Sequence, residues 1–148
     1  MATKLIKNEH DIAGIRYSCQ KLAEILKEVS ANIKPGITTA DLEAKACRLI
    51  KQVGGRPAFK NYQTHAGARP FPTALCTSIN NTIVHGPAVP AQELKAGDII
   101  GIDVGMELNG YYSDMAATFA VGRVSDQALH LMRITKEALH LGLEQIKP

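Results

Sequence analysis

The sequence predicts an α+β fold in which helices pack on an antiparallel sheet. Two observations carry this. Between Asn8 and Val53, two consecutive segments place apolar residues at steps of three and four, the helical period. Between Asp98 and Gly122, a stretch rich in β-branched and aromatic residues folds back at Asn109-Gly110, the strongest short hairpin signal, because a two-residue type I′ turn needs positive φ at both central positions. A length of 148 residues, with 45% apolar and 21% charged residues, suits a single domain, residues 1–148, with a hydrophobic core of its own.

The first helix is predicted from Asn8 to Ile33, with Ile12, Ile15, Cys19, Leu22, Leu26, Val29 and Ile33 as its apolar stripe. Asn8 caps it with Asp11 at the third helical position, and Pro35-Gly36 stops it. Thr38 or Thr39 caps the second, whose stripe is Leu42, Ala46, Leu49, Ile50 and Val53, and Gly54-Gly55 ends it. Arg56 to Phe71 carries loop signals throughout and is long enough to be a functional loop. Thr73 to Val84 reads as two short strands separated by Asn80-Asn81, a pair that tolerates left-handed backbone, and His85-Gly86-Pro87 breaks the second. After the hairpin, Ser125 opens a last helix with Leu129, Met132, Leu139, Leu143 and Ile146 as its apolar positions.

Register within the hairpin follows from the turn. If Leu108 faces Tyr111, then Gly105 faces Asp114 and Asp103 faces Ala116, so both aspartates lie on one face as diagonal neighbours. Their Cα separation is then roughly 7–8 Å, within reach of a pair of metal ions about 3.5–4 Å apart. Aspartate is depleted in strands, and a carboxylate placed between Ile102 and Val104 needs a cation, a metal or hydrogen bonds. No Lys or Arg lies on either arm between Asp98 and Gly122, which leaves a divalent ion as the simplest local answer. The competing reading is a solvated sheet face, or a bulge that shifts the register and separates the two side chains.

His85 ends a strand ahead of a glycine that allows close approach, and its titration range suits proton handling near neutral pH. The alternative is a histidine satisfied by backbone at a turn. His10, His130 and His140 read as helix-surface residues, and His65 falls in the loop.

The remaining features exclude other classes. A net charge of +3 spread along the chain is no nucleic-acid footprint. No apolar run reaches the roughly 18 residues of a membrane span, and Met1 to Lys7 lacks a signal-peptide core, so a cytoplasmic protein is expected. Cys19, Cys47 and Cys76 are far apart with no Cys-x-x-Cys pair and read as reduced structural thiols. A weak internal repeat is also present: Ile33-Lys34-Pro35 recurs as Ile146-Lys147-Pro148, and Glu24 and Leu26 recur as Glu137 and Leu139 at the same offset. Chance similarity between amphipathic helices competes with that reading. Read as a repeat, it marks the opening of a second copy and a truncated chain.

Taken in order, Asn81-Thr-Ile-Val-His-Gly-Pro87, Gly97-Asp-Ile-Ile-Gly-Ile-Asp-Val-Gly105 and Gly110-Tyr-Tyr-Ser-Asp-Met-Ala-Ala-Thr-Phe-Ala-Val-Gly122 resemble the amino-terminal half of the type I methionine aminopeptidases of the M24 metallopeptidase family. Pro57-Ala-Phe59 and Phe71-Pro-Thr-Ala-Leu-Cys-Thr-Ser-Ile-Asn80 are similar to the bacterial members, so the resemblance covers nearly the whole chain. It implies a pita-bread fold of two pseudo-symmetric halves holding two divalent metal ions, with Co, Mn, Fe and Zn all left open. By position, Asp103 matches a metal-binding aspartate, Asp114 the aspartate that bridges both ions, and His85 the histidine that contacts the substrate amide. Tyr62 and Phe71, with Phe59 nearby, fall where the family lines its methionine pocket.

The resemblance further implies removal of the initiator methionine, a peptide or nascent-chain N-terminus beginning with Met as substrate, ribosome association, and a monomer when complete. Two departures stand out. Gln63 to Pro70 replaces the short Gly-rich link of many members, which alters the pocket rim. The family's remaining ligands, one histidine and two glutamates, come from a second half, so this polypeptide is expected to be inactive alone. Alternatives are an Xaa-Pro peptidase of the same fold, which usually carries an extra amino-terminal domain, and a non-catalytic pita-bread binding module or fragment.

Overall fold

A computed structural model of the protein describes residues 6–147. Met1 to Leu5, part of the segment read for a signal peptide, and Pro148, the last residue of the second Ile-Lys-Pro triplet, lie outside the described residues. Helix α1 (Glu9–Ser30) is followed by α2 (Thr39–Gln52), the short strand β1 (Arg56–Pro57), β2 (Leu75–Ile79), the hairpin of β3 (Ile99–Leu108) and β4 (Tyr111–Ala120), and α3 (Asp126–Glu144).

Local chemistry sets the helix starts as expected. Asn8 and Asp11 form a reciprocal capping box on α1, Thr38 and Asp41 form another on α2, and the Ser125 hydroxyl accepts from Ala128 N–H at the start of α3. The first helix ends at Ser30, so Ile33 packs on the core from outside it.

Strand β3 is the spine of an antiparallel sheet. Along one edge it pairs with β4 over its full length; along the other it meets β2 opposite Ile100 to Val104 and β1 opposite Met106 and Glu107. The predicted register holds without a bulge, Leu108 facing Tyr111, Gly105 facing Asp114 and Asp103 facing Ala116. Asn109 and Gly110 both have positive φ, 54° and 85°, as the tight turn demands.

Alternation along β3 separates two faces. Ile100, Ile102, Val104, Met106 and Leu108 are buried beneath α1 and α2, where they meet Leu22, Ile25, Leu26, Val29, Leu42, Ala46 and Ile50. Each such large side chain contributes about 1.5–3 kcal/mol by leaving water. Helix α1 approaches β4 closely because small residues face it. A Cβ on Gly14 would lie 2.2 Å from the Tyr111 ring, and buried Ser18 shares a 2.8 Å hydrogen bond with Ser113.

Three expectations fail. Arg56–Pro57 is a strand rather than loop, because the chain leaving α2 runs beside the end of β3. The strand expected over Thr82 to Val84 does not form; Ile83 and Val84 are 89% and 61% exposed, and Pro87 takes the place beside Cys76 instead. The last helix starts at Ser125 as expected, but it ends at Glu144 and leaves Ile146 past its end, and none of its residues is buried.

Candidate metal centre

The face of the sheet opposite the core carries both aspartates. Asp103 is half-buried and Asp114 exposed on adjacent strands, with Gly105 and Ala116 as their direct cross-strand partners. Those small residues keep the floor open. The space above Gly105 is taken by the Phe59 ring, and a Cβ on that glycine would come within 2.5 Å of it.

Burial pushes the Asp103 carboxyl up to about 6, and the negative charge of Asp114 and a hydrogen bond between the two carboxyls push the same way, against the opposing pull of His85. The two groups therefore compete for a cation or a shared proton. Arg69 lines the same cavity but pairs with neither; the ion pairs among the described residues are Lys21 with Glu24, Arg56 with Glu107 and Arg133 with Glu137. Two close, unpaired carboxylates are hard oxygen donors and suit a divalent ion. Among the described residues, however, no three His, Cys, Asp or Glu side chains are grouped to hold one. Catalytic zinc sites ordinarily take about three protein ligands, more than these two aspartates offer.

His85 adopts left-handed backbone, φ 58°, at a turn clamped to the edge of β2. Thr77 N–H donates to the Gly86 carbonyl at 2.6 Å, Gly86 N–H donates to Ser78 Oγ at 3.3 Å, and a Cβ on Gly86 would collide with the Thr77 carbonyl oxygen at 2.6 Å. Only glycine fits there. Farther along, Ala88 N–H donates to Thr73 Oγ1 and its carbonyl accepts from Thr39 Oγ1, so buried hydroxyls fix the turn on both sides. The His85 ring makes no hydrogen bond to the described residues and lines the same cavity as Asp103 and Asp114.

All six residues singled out from the sequence, Phe59, Tyr62, Phe71, His85, Asp103 and Asp114, line one cavity of about 710 Å³. Its walls are otherwise Thr64, Arg69, Pro70, Pro72, Cys76, Pro87 and Val89. Its lining combines aromatic and proline side chains with the two carboxylates, and the Phe59 ring lies over Gly105, the cross-strand partner of Asp114.

Two contributors escaped the sequence reading. Cys76 faces Asp103 across the β2–β3 ladder, and burial, then the charges of Asp103 and Asp114, push its thiol up to about 11. Buried Glu43 accepts from Ala74 N–H at 2.8 and 3.0 Å and from Leu75 N–H at 2.9 Å, which ties α2 to the start of β2 just beyond Phe71 and Pro72. A signal was present, because Glu43 stands three and seven residues before Ala46 and Ile50, on the apolar stripe.

The sequence pattern of metallopeptidase family M24 matches residues 13–148. The methionine aminopeptidase of Clostridium perfringens is 42% identical over 142 residues, 95% of this chain and 54% of that protein. The crystal structure of methionine aminopeptidase from Thermotoga maritima matches with a TM-score of 0.87 at 34% identity, over 97% of this chain and 55% of that one. Prolidase from Pyrococcus horikoshii matches with a TM-score of 0.81 at 24% identity, over 97% of this chain and 38% of that one, a likeness of fold alone. The helices and antiparallel sheet are those of the pita-bread aminopeptidases. The chain spans about half the length of the curated relatives it matches.

Proposed function

This chain belongs to metallopeptidase family M24, and on that premise we propose that it carries the amino-terminal half of a methionine aminopeptidase that removes the initiator methionine from nascent proteins. The observation that supports the reading best is that Asp103 and Asp114, diagonal neighbours on β3 and β4, line the same cavity as Phe59, Tyr62 and Phe71. In this reading, residues 1–148 are one domain, and a second half supplies one histidine and two glutamates.

Asp103 and Asp114 hold and charge-balance two divalent ions of the Co, Mn, Fe or Zn kind. Ions bound there supply a nucleophile at neutral pH and polarise the scissile carbonyl. His85 donates a hydrogen bond to the substrate amide and stabilises charge that develops on the way to the tetrahedral state, a contact stronger in the transition state than before it. Replacing His85 therefore lowers turnover more than metal content. Phe59, Tyr62 and Phe71 take the methionine side chain, and Gly105 admits the Phe59 ring that closes this wall. Substrates are peptide or nascent-chain N-termini beginning with Met, met at the ribosome in the cytoplasm by a monomeric complete enzyme. Among the described residues no helix is long and apolar enough to cross a membrane.

The test uses the 148-residue chain, isotope-labelled, with a Met-Ala-Ser peptide and a divalent metal. The expected result is resonance shifts at Phe59, Tyr62 and Phe71 without methionine release. Metal-dependent release that vanishes in Asp114→Ala would overturn the half-site reading, and shifts confined to another surface would overturn the methionine pocket.

A further inference from the structure

We infer that the loop between Tyr62 and Phe71 is a specificity lip, and that its Arg69 selects peptides carrying an acidic side chain just downstream of the N-terminal residue. The inference rests on the aminopeptidase reading for the direction of the substrate.

The loop has a defined shape. Its neck is closed by Asn61 N–H donating to the Phe71 carbonyl at 2.8 Å and Phe71 N–H donating to the Tyr62 carbonyl at 2.9 Å. Inside, Ala68 N–H donates to the His65 carbonyl at 3.0 Å and the Gln63 side-chain amide donates to the Ala68 carbonyl at 2.8 Å. A loop bonded to itself in this way presents its side chains from a fixed frame.

What it presents is a cation. Arg69 lines the cavity together with Asp103 and Asp114, and it has no carboxylate partner among the described residues. With Asp103 and Asp114 assigned to metal, Arg69 is the charged side chain of the lining left open to a substrate. A peptide arriving amine-first meets it if a carboxylate follows farther along the chain. An extended chain advances roughly 3.3–3.6 Å per residue, so an acid at the third or fourth position lies roughly 7–11 Å from the first residue, on the scale of a cavity of about 710 Å³. The guanidinium fork suits a carboxylate in two-point contact. A smaller groove of about 220 Å³ on the other side of Tyr62 contains Lys60 and Arg56, but Arg56 is already engaged by Glu107.

The experiment measures dissociation constants of the 148-residue chain for Met-Ala-Glu-Gly, Met-Ala-Ala-Glu, and their Gln and Lys counterparts, by resonance shifts at low ionic strength. The better of the two Glu peptides is expected to bind about two- to five-fold tighter than its Gln counterpart, the range of an exposed ion pair. That advantage should vanish in Arg69→Gln, pass to the Lys peptides in Arg69→Glu, survive in Lys60→Ala, and fade at high salt. Equal binding of the Glu and Gln peptides by the unmodified chain, or a Glu preference that persists in Arg69→Gln, overturns the role of Arg69 while leaving the methionine pocket standing. If no peptide perturbs Phe59, Tyr62 or Phe71, the aminopeptidase reading falls and this inference with it.

Discussion

The two faces of the β3–β4 hairpin are written by the same strands and obey different rules. On one face Ile100, Ile102, Val104, Met106 and Leu108 are sealed under α1 and α2, with relative exposures of 3% or less. On the other, Gly105 and Ala116 flank two aspartates that no cation of the described residues neutralises. Two-residue alternation lets one hairpin anchor the core and hold a charged site, and a register slip by one residue would exchange the two roles. Stability belongs to the covered face, and the proposed function assigns ligand binding to the open one.

The sharpest way to break that division is Ile102→Ala. Deleting this fully buried side chain should cost about 2–5 kcal/mol in chemical denaturation, whereas Asp114→Asn, one strand away on the open face, should leave stability at pH 7 unchanged or slightly higher because it removes a like-charge neighbour. A loss from Asp114→Asn as large as that from Ile102→Ala would refute the division. Glu43→Ala should come next, at about 1–3 kcal/mol, because it leaves the Ala74 and Leu75 N–H groups buried without acceptors.

A smaller effect follows from pH. Asp103 binds its proton more tightly when folded, near 6, than at its ordinary value of 3.8, through burial and Asp114. Its contribution is therefore most favourable at low pH and is lost as pH rises between about 4 and 6. Denaturation of the parent chain and of Asp103→Asn across that window should show the difference, with the parent losing stability relative to the variant. In Asp114→Asn the Asp103 carboxyl should titrate at lower pH, as nuclear magnetic resonance would record. The smallest effect is expected in α3, where Leu139→Ala should change stability by no more than about 0.5 kcal/mol, since the residue is 61% exposed.

Helix α3 also shows where sequence reading stops. Its apolar period resembles that of α1, yet α1 buries Ser18, Leu22, Ile25, Leu26 and Val29 while α3 buries none of the described residues. A period defines a face but does not name its partner. The hairpin register was legible because Asn109-Gly110 leaves the turn one conformation, and the capping boxes were legible because each needs only a local pair. The missing strand at Thr82 to Val84 was not, because β-branched residues favour extended backbone whether or not a neighbouring strand is free to pair. Cys76 and Glu43 depend on contacts between distant segments, and only the charge on the apolar stripe of α2 hinted at the second. The pairing of Asp103 with Asp114 was readable from local rules, and its enclosure by Phe59, Tyr62 and Phe71 came from resemblance.

The most direct test of the account is titration of the isotope-labelled chain with Mn²⁺, a paramagnetic ion that broadens nearby resonances even when it binds weakly. Broadening should begin at Asp103, Asp114 and their neighbours on β3 and β4, diminish as pH falls from 7 to 5, and disappear in Asp114→Ala. Broadening centred elsewhere, or persisting unchanged in that variant, would contradict the assignment of the open face as a metal centre.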